Sequence, residues 1–395
     1  MKTYKKIFAF LGIRLTMLAL CGCTPELTHI YPGAPNLYLL QTQQSSLLTH
    51  EQLAEKWPDL VSSLNYDIDL YRITYRTTNT QGDSVTSSAA ILVPRASRDH
   101  PVLIFQAPLN GNDLESPSHF KPGTSARIAE VMASNGFITV IPDVSVTSLA
   151  YHHATTSATH MLHLLRATQE FCYKMQMPHS DRLFLAGYDA GAYATLATLK
   201  LLEQQDEEEF EWQLIASSVG GGAYDLLGTM QSHLQDTTRP LISPARLALQ
   251  WVSYNALYTW ERAPETVFQE PYAQRITAGL FDGTQALDAI EAQLTPHVNA
   301  LLTPQFLADF QGNGEPVFKQ ALRDQSQHRW LPQTRLRLYH GTADQVAPSS
   351  NAEALYNHAQ TQGATSVSFV PFADSTHASA YAPFVSNTLS WFGQD

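Results

Sequence analysis

The feature that most constrains this chain is a turn. Arg182-Leu183-Phe184-Leu185-Ala186-Gly187 is a short apolar run of the kind that forms a buried strand, and residues 190–202 have helical character. Between them lies Gly187-Tyr188-Asp189-Ala190-Gly191, so the strand must pass into the helix within a few residues. A strand-to-helix turn this sharp holds its central residue, Asp189, at the top of a sheet in strained geometry. Its flanking residues must be glycine or small, because the backbones pass closely. The first turn of the helix adds free amides and a partial positive charge, which suits an anion.

Two further elements repeat the placement at strand ends. His340-Gly341-Thr342-Ala343-Asp344 hangs a carboxylate off the turn after a strand, and Val346-Ala347-Pro348 follows. Asp374-Ser375-Thr376-His377 puts a histidine on the loop that opens the final helix. Taken singly, Asp344 reads as an Asx-turn residue and His377 as a local cap or surface histidine. Together with Asp189 they give the chain order nucleophile position, acid, histidine, each at the C-terminal end of a strand, where open α/β sheets build their sites.

The rest of the chain supplies such a sheet. Residues 66–75 alternate apolar and polar, a polar turn at Gly82-Asp83 follows, and 84–94 completes a β-hairpin. Strands are expected at 102–106, 137–141, 182–187, 214–219, 336–340 and 366–371, with helices at 123–134, 155–176, 190–202, 350–362 and 377–391. Strands alternating with helices imply a mostly parallel sheet covered by helices on both faces. Strand signals stop from 224 to 331, a helical and aromatic-rich segment that reads as an inserted cap. The expected organisation is a leader at 1–23, a tether and irregular N-terminal arm at 24–60, a core at 61–223 and 332–395, and a cap at 224–331.

At this point the chain resembles an α/β-hydrolase of the secreted lipase/esterase type over roughly residues 60–395. Ile141-Pro142-Asp143 and Ala223-Tyr224-Asp225-Leu226 add to the match. The resemblance implies an α/β-hydrolase fold and a small-molecule or lipid substrate, with no cofactor. Position by position it makes Asp189 the nucleophile, Asp344 the acid and His377 the base. The amide of Ala190 would be one oxyanion donor, the other coming from Ala107 or Leu109 in the loop after the third strand. Relatives usually read Gly-Tyr-Ser-x-Gly-Gly at the elbow and often His-Gly in that loop. This chain has Asp189 and Ala107-Pro108, and Pro108 has no amide to donate.

An aspartate excludes serine-esterase chemistry at this position. Attack on an ester would give an anhydride, and the carboxylate would repel the developing oxyanion. Two readings stay open. In one, Asp189 attacks a saturated carbon, as in haloalkane dehalogenases and epoxide hydrolases, and His377 then activates the water that hydrolyses the alkyl ester. Those families usually carry a large residue where Ala190 stands; Tyr254, Tyr258 and Tyr272 are the cap tyrosines available to protonate an epoxide. In the other, the fold has become a non-catalytic binding protein.

Composition narrows the setting. Among 395 residues the formal net charge is −12, which disfavours nucleic acid as a partner. The start, MKTYKKIFAFLGIRLTMLALCGC, has a basic n-region and a mostly apolar stretch, and so reads as a secretory signal. Leu20-Cys21-Gly22-Cys23 resembles a bacterial lipobox with Cys23 as the lipidated residue, which implies a membrane contact through acyl chains at the cell envelope. Cys172 is then the one thiol of the body, expected on the buried side of a helix. His152, His153, His160 and His163 read as satisfied or surface histidines rather than metal ligands, and the acidic run at 205–209 as a solvated loop.

Overall fold

The computed structural model describes residues 37–394 except 59–60, 62–63, 110–111, 113–114, 122–123, 145–150 and 205–210. The leader with Cys23 and the acidic run at 205–209 lie outside the described residues. Nine strands form one sheet: β1 (Leu39–Leu48), β2 (Ile68–Thr78), β3 (Ser84–Pro94), β4 (His100–Gln106), β5 (Ile138–Pro142), β6 (His179–Tyr188), β7 (Gln213–Gly220), β8 (Arg335–Gly341) and β9 (Val367–Phe372). Their order is β1-β2-β3-β5-β4-β6-β7-β8-β9. The first three are antiparallel, β3 pairs antiparallel with β5, and every pairing from β5 to β9 is parallel.

The parallel strands carry apolar residues on both faces because helices cover both. Leu183 and Leu185 of β6 pack with Val102 and Ile104 on one side, while Phe184 and Ala186 pack with Leu103 and Phe105 on the other. The first face is closed by α3 (Ala154–Met175), α4 (Ala190–Leu202) and α12 (Ser350–Thr361). The second is closed by α1 (His50–Lys56), α2 (Thr124–Ser134) and α13 (Tyr381–Phe392). Cys172 of α3 is buried as a small hydrophobe.

The arm expected to be irregular instead contains β1, an edge strand antiparallel to β2, and the helix α1. Its side chains are mostly exposed, so the strand carries no apolar alternation to betray it. What fixes its start is a buried carboxylate. Glu170 of α3 accepts the backbone amides of Leu37, Tyr38 and Leu39, the last at 2.6 Å. The final helix, expected to begin at residue 377, starts at Tyr381 and leaves His377 on a loop.

Between β7 and β8 the chain builds the cap from α5 (Leu226–Gln235), α6 (Pro244–Leu257), α7 (Tyr272–Thr277), α8 (Leu287–Glu291), α9 (Val298–Leu301), α10 (Pro304–Gln311) and α11 (Pro316–Asp324). The cap has its own core, including Trp251, Phe268, Phe310 and Phe318, and Tyr193 of α4 joins it from below. Asn351 of α12 pins the cap's entry, its side-chain oxygen accepting the amides of Tyr224 and Asp225 at 2.8 Å each. Asp225 then caps α5 by accepting the amide of Gly228.

Candidate active site

The elbow has the geometry its sequence demands. Asp189 sits between β6 and α4 with φ 59° and ψ −126°, a left-handed conformation costly for a residue with a Cβ and of the kind held in place at functional sites. The two glycines explain themselves by close approach. A Cβ on Gly187 would land on Gly191 and Thr195, and one on Gly191 would land on the backbone of Gln106 and Ala107.

Asp189, Asp344 and His377 come together. Asp344, on the turn after β8, accepts the amides of Val346 at 2.8 Å and Ala347 at 3.0 Å with Oδ1. Its Oδ2 takes a 2.7 Å hydrogen bond from Nδ1 of His377. Burial would raise the Asp344 carboxyl, but hydrogen bonds from His340 and His377 hold it well below the usual carboxylate range. With Nδ1 donating, His377 turns Nε2 toward Oδ1 of Asp189 at 3.6 Å, an ion-pair distance too long for a hydrogen bond. Tyr188 steadies the loop by donating its hydroxyl to the carbonyl of His377 at 2.6 Å.

The other oxygen of Asp189 has one partner that sequence patterns did not identify, Arg246, and one that they did, Leu109. Nη2 of Arg246, on cap helix α6, lies 2.5 Å from Oδ2. The amide of Leu109 approaches the same oxygen at 3.5 Å. Of the three expected oxyanion donors, Leu109 is thus the one that meets the carboxylate. Ala190 opens α4 directly after it, and the carbonyl of Ala107 faces Gly191. Burial would raise the Asp189 carboxyl, yet Arg246 and His377 together hold it below its ordinary value. Arg246 in turn keeps its proton: burial opposes the charge, and Asp189 and Tyr151 more than offset it. Glu291 of α8 braces this arrangement, accepting the Ser243 hydroxyl and the amide of Ala245 at the start of α6.

A small cavity of about 40 Å³ opens beside Asp189, lined among others by Arg246, Tyr151, His152, His233 and Met230. That is room for a few waters. The cap tyrosines do not line it. Tyr254 donates to the carbonyl of His152 at 2.9 Å, and Tyr258 stacks on Trp260. The expected histidine cluster divides: His160 bonds the carbonyl of Thr78, His163 the hydroxyl of Thr77 and His153 that of Thr156, while His152 faces the cavity. Among the described residues no group of three potential ligands is placed to hold a metal. Asp143 is structural, accepting the Ser118 amide and the hydroxyls of Ser88 and Ser118.

A mostly parallel sheet sandwiched by helices, an elbow residue after β6, the third strand of the parallel region in space, an acid after β8 and a histidine after β9, and a cap between β7 and β8 define an α/β-hydrolase-fold protein. The model of the secretory lipase family matches residues 125–394, and the chain belongs to that family. A candidate hydrolase from Legionella pneumophila superposes with a TM-score of 0.81 at 21% identity, over 90% of this chain and 98% of that one. The rice cell wall degrading esterase LipA from Xanthomonas oryzae gives 0.78 at 22%, over 89% and 95%. Candida antarctica lipase A in its closed state gives 0.65 at 16%, over 88% and 79%. At these identities the likeness is one of fold. A comparison with curated proteins finds no match.

Proposed function

We propose that the protein is a hydrolase of the lipase/esterase fold that works through an alkyl ester on Asp189 rather than an acyl ester on serine. The observation that carries this reading is the unequal partnering of the two Asp189 oxygens. Oδ2 is engaged by Arg246 and the Leu109 amide, while Oδ1 is turned toward His377 without a hydrogen bond. Oδ1 would attack a saturated carbon, forming the C–O bond as the leaving group departs with its electron pair. The ester carbonyl oxygen is then Oδ2. His377, oriented by Asp344, takes a proton from water through Nε2, and the hydroxide adds to Cγ. Negative charge develops on Oδ2, where Arg246 and the Leu109 amide already sit. Collapse expels the alkoxide, which takes the proton from Nε2 of His377 and leaves as the alcohol, and the carboxyl of Asp189 releases its proton to solvent to return the carboxylate.

Among the described residues none of Tyr254, Tyr258 and Tyr272 lines the cavity, Tyr254 being bonded to the carbonyl of His152, so none of the three is placed to protonate an epoxide oxygen there. A substrate whose leaving group needs no proton, such as an alkyl halide, suits the site better. The cavity's size points to a small molecule, or to a lipid that enters when the cap moves. We read the protein as exported and anchored at the bacterial envelope through Cys23, a reading supported by the leader sequence and by the family's secretory character.

Intact-mass analysis of a His377→Ala variant exposed to alkyl halides, epoxides and acyl esters tests the mechanism. A stable alkyl adduct on the Asp189 peptide is expected. No adduct, together with no turnover by the native protein, overturns it. A second reading, a binding protein without catalysis, draws on one observation: Arg246 closes on Asp189 and leaves about 40 Å³ beside it. It predicts the second outcome.

A further inference from the structure

We propose that His152 is a specificity-determining residue of the cavity, whose Nε2 accepts a hydrogen bond from a hydroxyl group of the substrate. The substrate would accordingly be a hydroxylated alkyl electrophile, of the haloalcohol class. The electrophile rests on the Asp189 reading; the hydroxyl subsite does not.

His152 is held in place more tightly than a packing residue needs. Its backbone is left-handed, with φ 52°, a strained state that persists only where surroundings over-determine it. Here they do. The hydroxyls of Tyr193 and Tyr254 both donate to its carbonyl, at 3.1 and 2.9 Å. Its ring lies between those of Tyr151 and Tyr193, with centroids at 3.9 and 4.7 Å. Its Nδ1 meets Oε1 of Gln250 at 2.7 Å. Gln250 gives its amide hydrogens to the carbonyl of Tyr151, so its oxygen is what faces the imidazole. Nδ1 therefore carries the proton and Nε2 the lone pair.

Burial keeps this ring neutral, pushed down to about 4, so the tautomer holds at any ordinary pH. Nε2 has no hydrogen-bond partner among the described residues, and the ring lines the cavity beside Asp189. His233 of α5 lines the same space, and its Nε2 is buried without a partner. Nε2 of His152 and the carboxylate of Asp189 are the acceptors fixed along this space. An acceptor left unpaired in such a site is costly, so a ligand hydroxyl is selected over a methyl group of the same size.

The isosteric pair 2-bromoethanol and 1-bromopropane tests this. The native protein should favour bromoethanol by at least tenfold in kcat/KM, and His152→Phe should bring the two within about threefold by losing only the bromoethanol rate. His152→Asn, which tolerates the left-handed backbone, covers the case in which the phenylalanine variant does not fold. In parallel, unreactive ethylene glycol is titrated into protein carrying ¹⁵N-labelled histidine, where it should shift the His152 Nε2 resonance. Equal rates on the two bromides overturn the proposal wherever there is turnover. If neither bromide alkylates Asp189, the titration decides: a shift keeps the hydroxyl subsite while the alkyl-ester mechanism falls, and no shift overturns the subsite as well.

Discussion

Arg246 of the cap and Asp189 of the core share a part-buried ion pair, Nη2 to Oδ2 at 2.5 Å, with side-chain exposures of 19% and 6%. The pair ties cap helix α6 to the elbow between β6 and α4. Removing one member strands the other charge in a desolvated site, which typically costs about 3–5 kcal/mol. Arg246→Met should therefore lower stability by about that much, read as a shift in urea midpoint at constant slope. Asp189→Asn combined with Arg246→Met should recover most of the loss, because no lone charge remains. A double variant as unstable as the sum of its singles would mean that the two side chains do not interact.

Acid should weaken the fold in two separate windows. His152 is held down at about 4 by burial, against 6.5 for an exposed ring. Between those values the unfolded chain takes a proton that the folded chain refuses, so stability falls as pH drops from about 6.5 to about 4, by up to ~1.4 kcal/mol per pH unit. His163, likewise pushed down to about 4 by burial, acts in the same direction. Asp189 and Asp344 are both lowered from 3.8 in the folded state. Their contribution is complete above about pH 4 and is lost as pH falls through their folded values. Urea unfolding at pH 7.5, 6.5, 5.5 and 4.5 measures the first window. His152→Gln should flatten it by about one proton, and an unchanged slope would contradict the buried neutral ring.

Glu170 should behave as an anchor for one strand. It is 2% exposed and accepts three consecutive amides at the head of β1. Hydrogen bonds to a charged acceptor contribute roughly 1.5–3 kcal/mol each. Glu170→Ala should cost about 3 kcal/mol and speed hydrogen exchange at the β1 amides by at least tenfold, with β6 amides nearly unchanged. Uniform loss of protection across the sheet would show that β1 is not a separately anchored element.

These interactions divide along the line of what a sequence displays. The elbow was legible because two glycines, an apolar strand and a helix adjoin it in the chain, and Asp344 and His377 because each follows a strand signal. β1 was not, since an exposed edge strand needs no apolar alternation; Thr42, Gln43 and Gln44 hide it. Arg246 was not, since it reaches Asp189 across 57 residues from a helix whose sequence reads only as cap. His152 was noticed as one of a cluster, but the side chains that fix it, Gln250 and Tyr254, lie about a hundred positions away. Local order gave the frame, and long-range side-chain pairing gave the site its chemistry.

The last prediction asks whether the frame still supports the family's usual chemistry. With Nδ1 of His377 on Asp344 at 2.7 Å and Nε2 facing position 189, a serine there would meet a base already in the right tautomer. The Leu109 amide near Oδ2 marks where an ester oxyanion would lie, and Arg246, freed from the aspartate, would add a cation to it. Asp189→Ser should therefore gain hydrolysis of short acyl esters relative to the native protein. Long-chain esters should lag, given the small cavity. Adding His377→Ala should remove the new activity by a factor on the order of 10⁴. The assay is p-nitrophenyl acetate and p-nitrophenyl palmitate turnover by the three proteins. Should Asp189→Ser fold with an unchanged melting temperature and still leave both esters intact, the block lies outside the elbow. The loop carrying Ala107 and Pro108 would then be the next place to restore a donor, since Pro108 has no amide to offer.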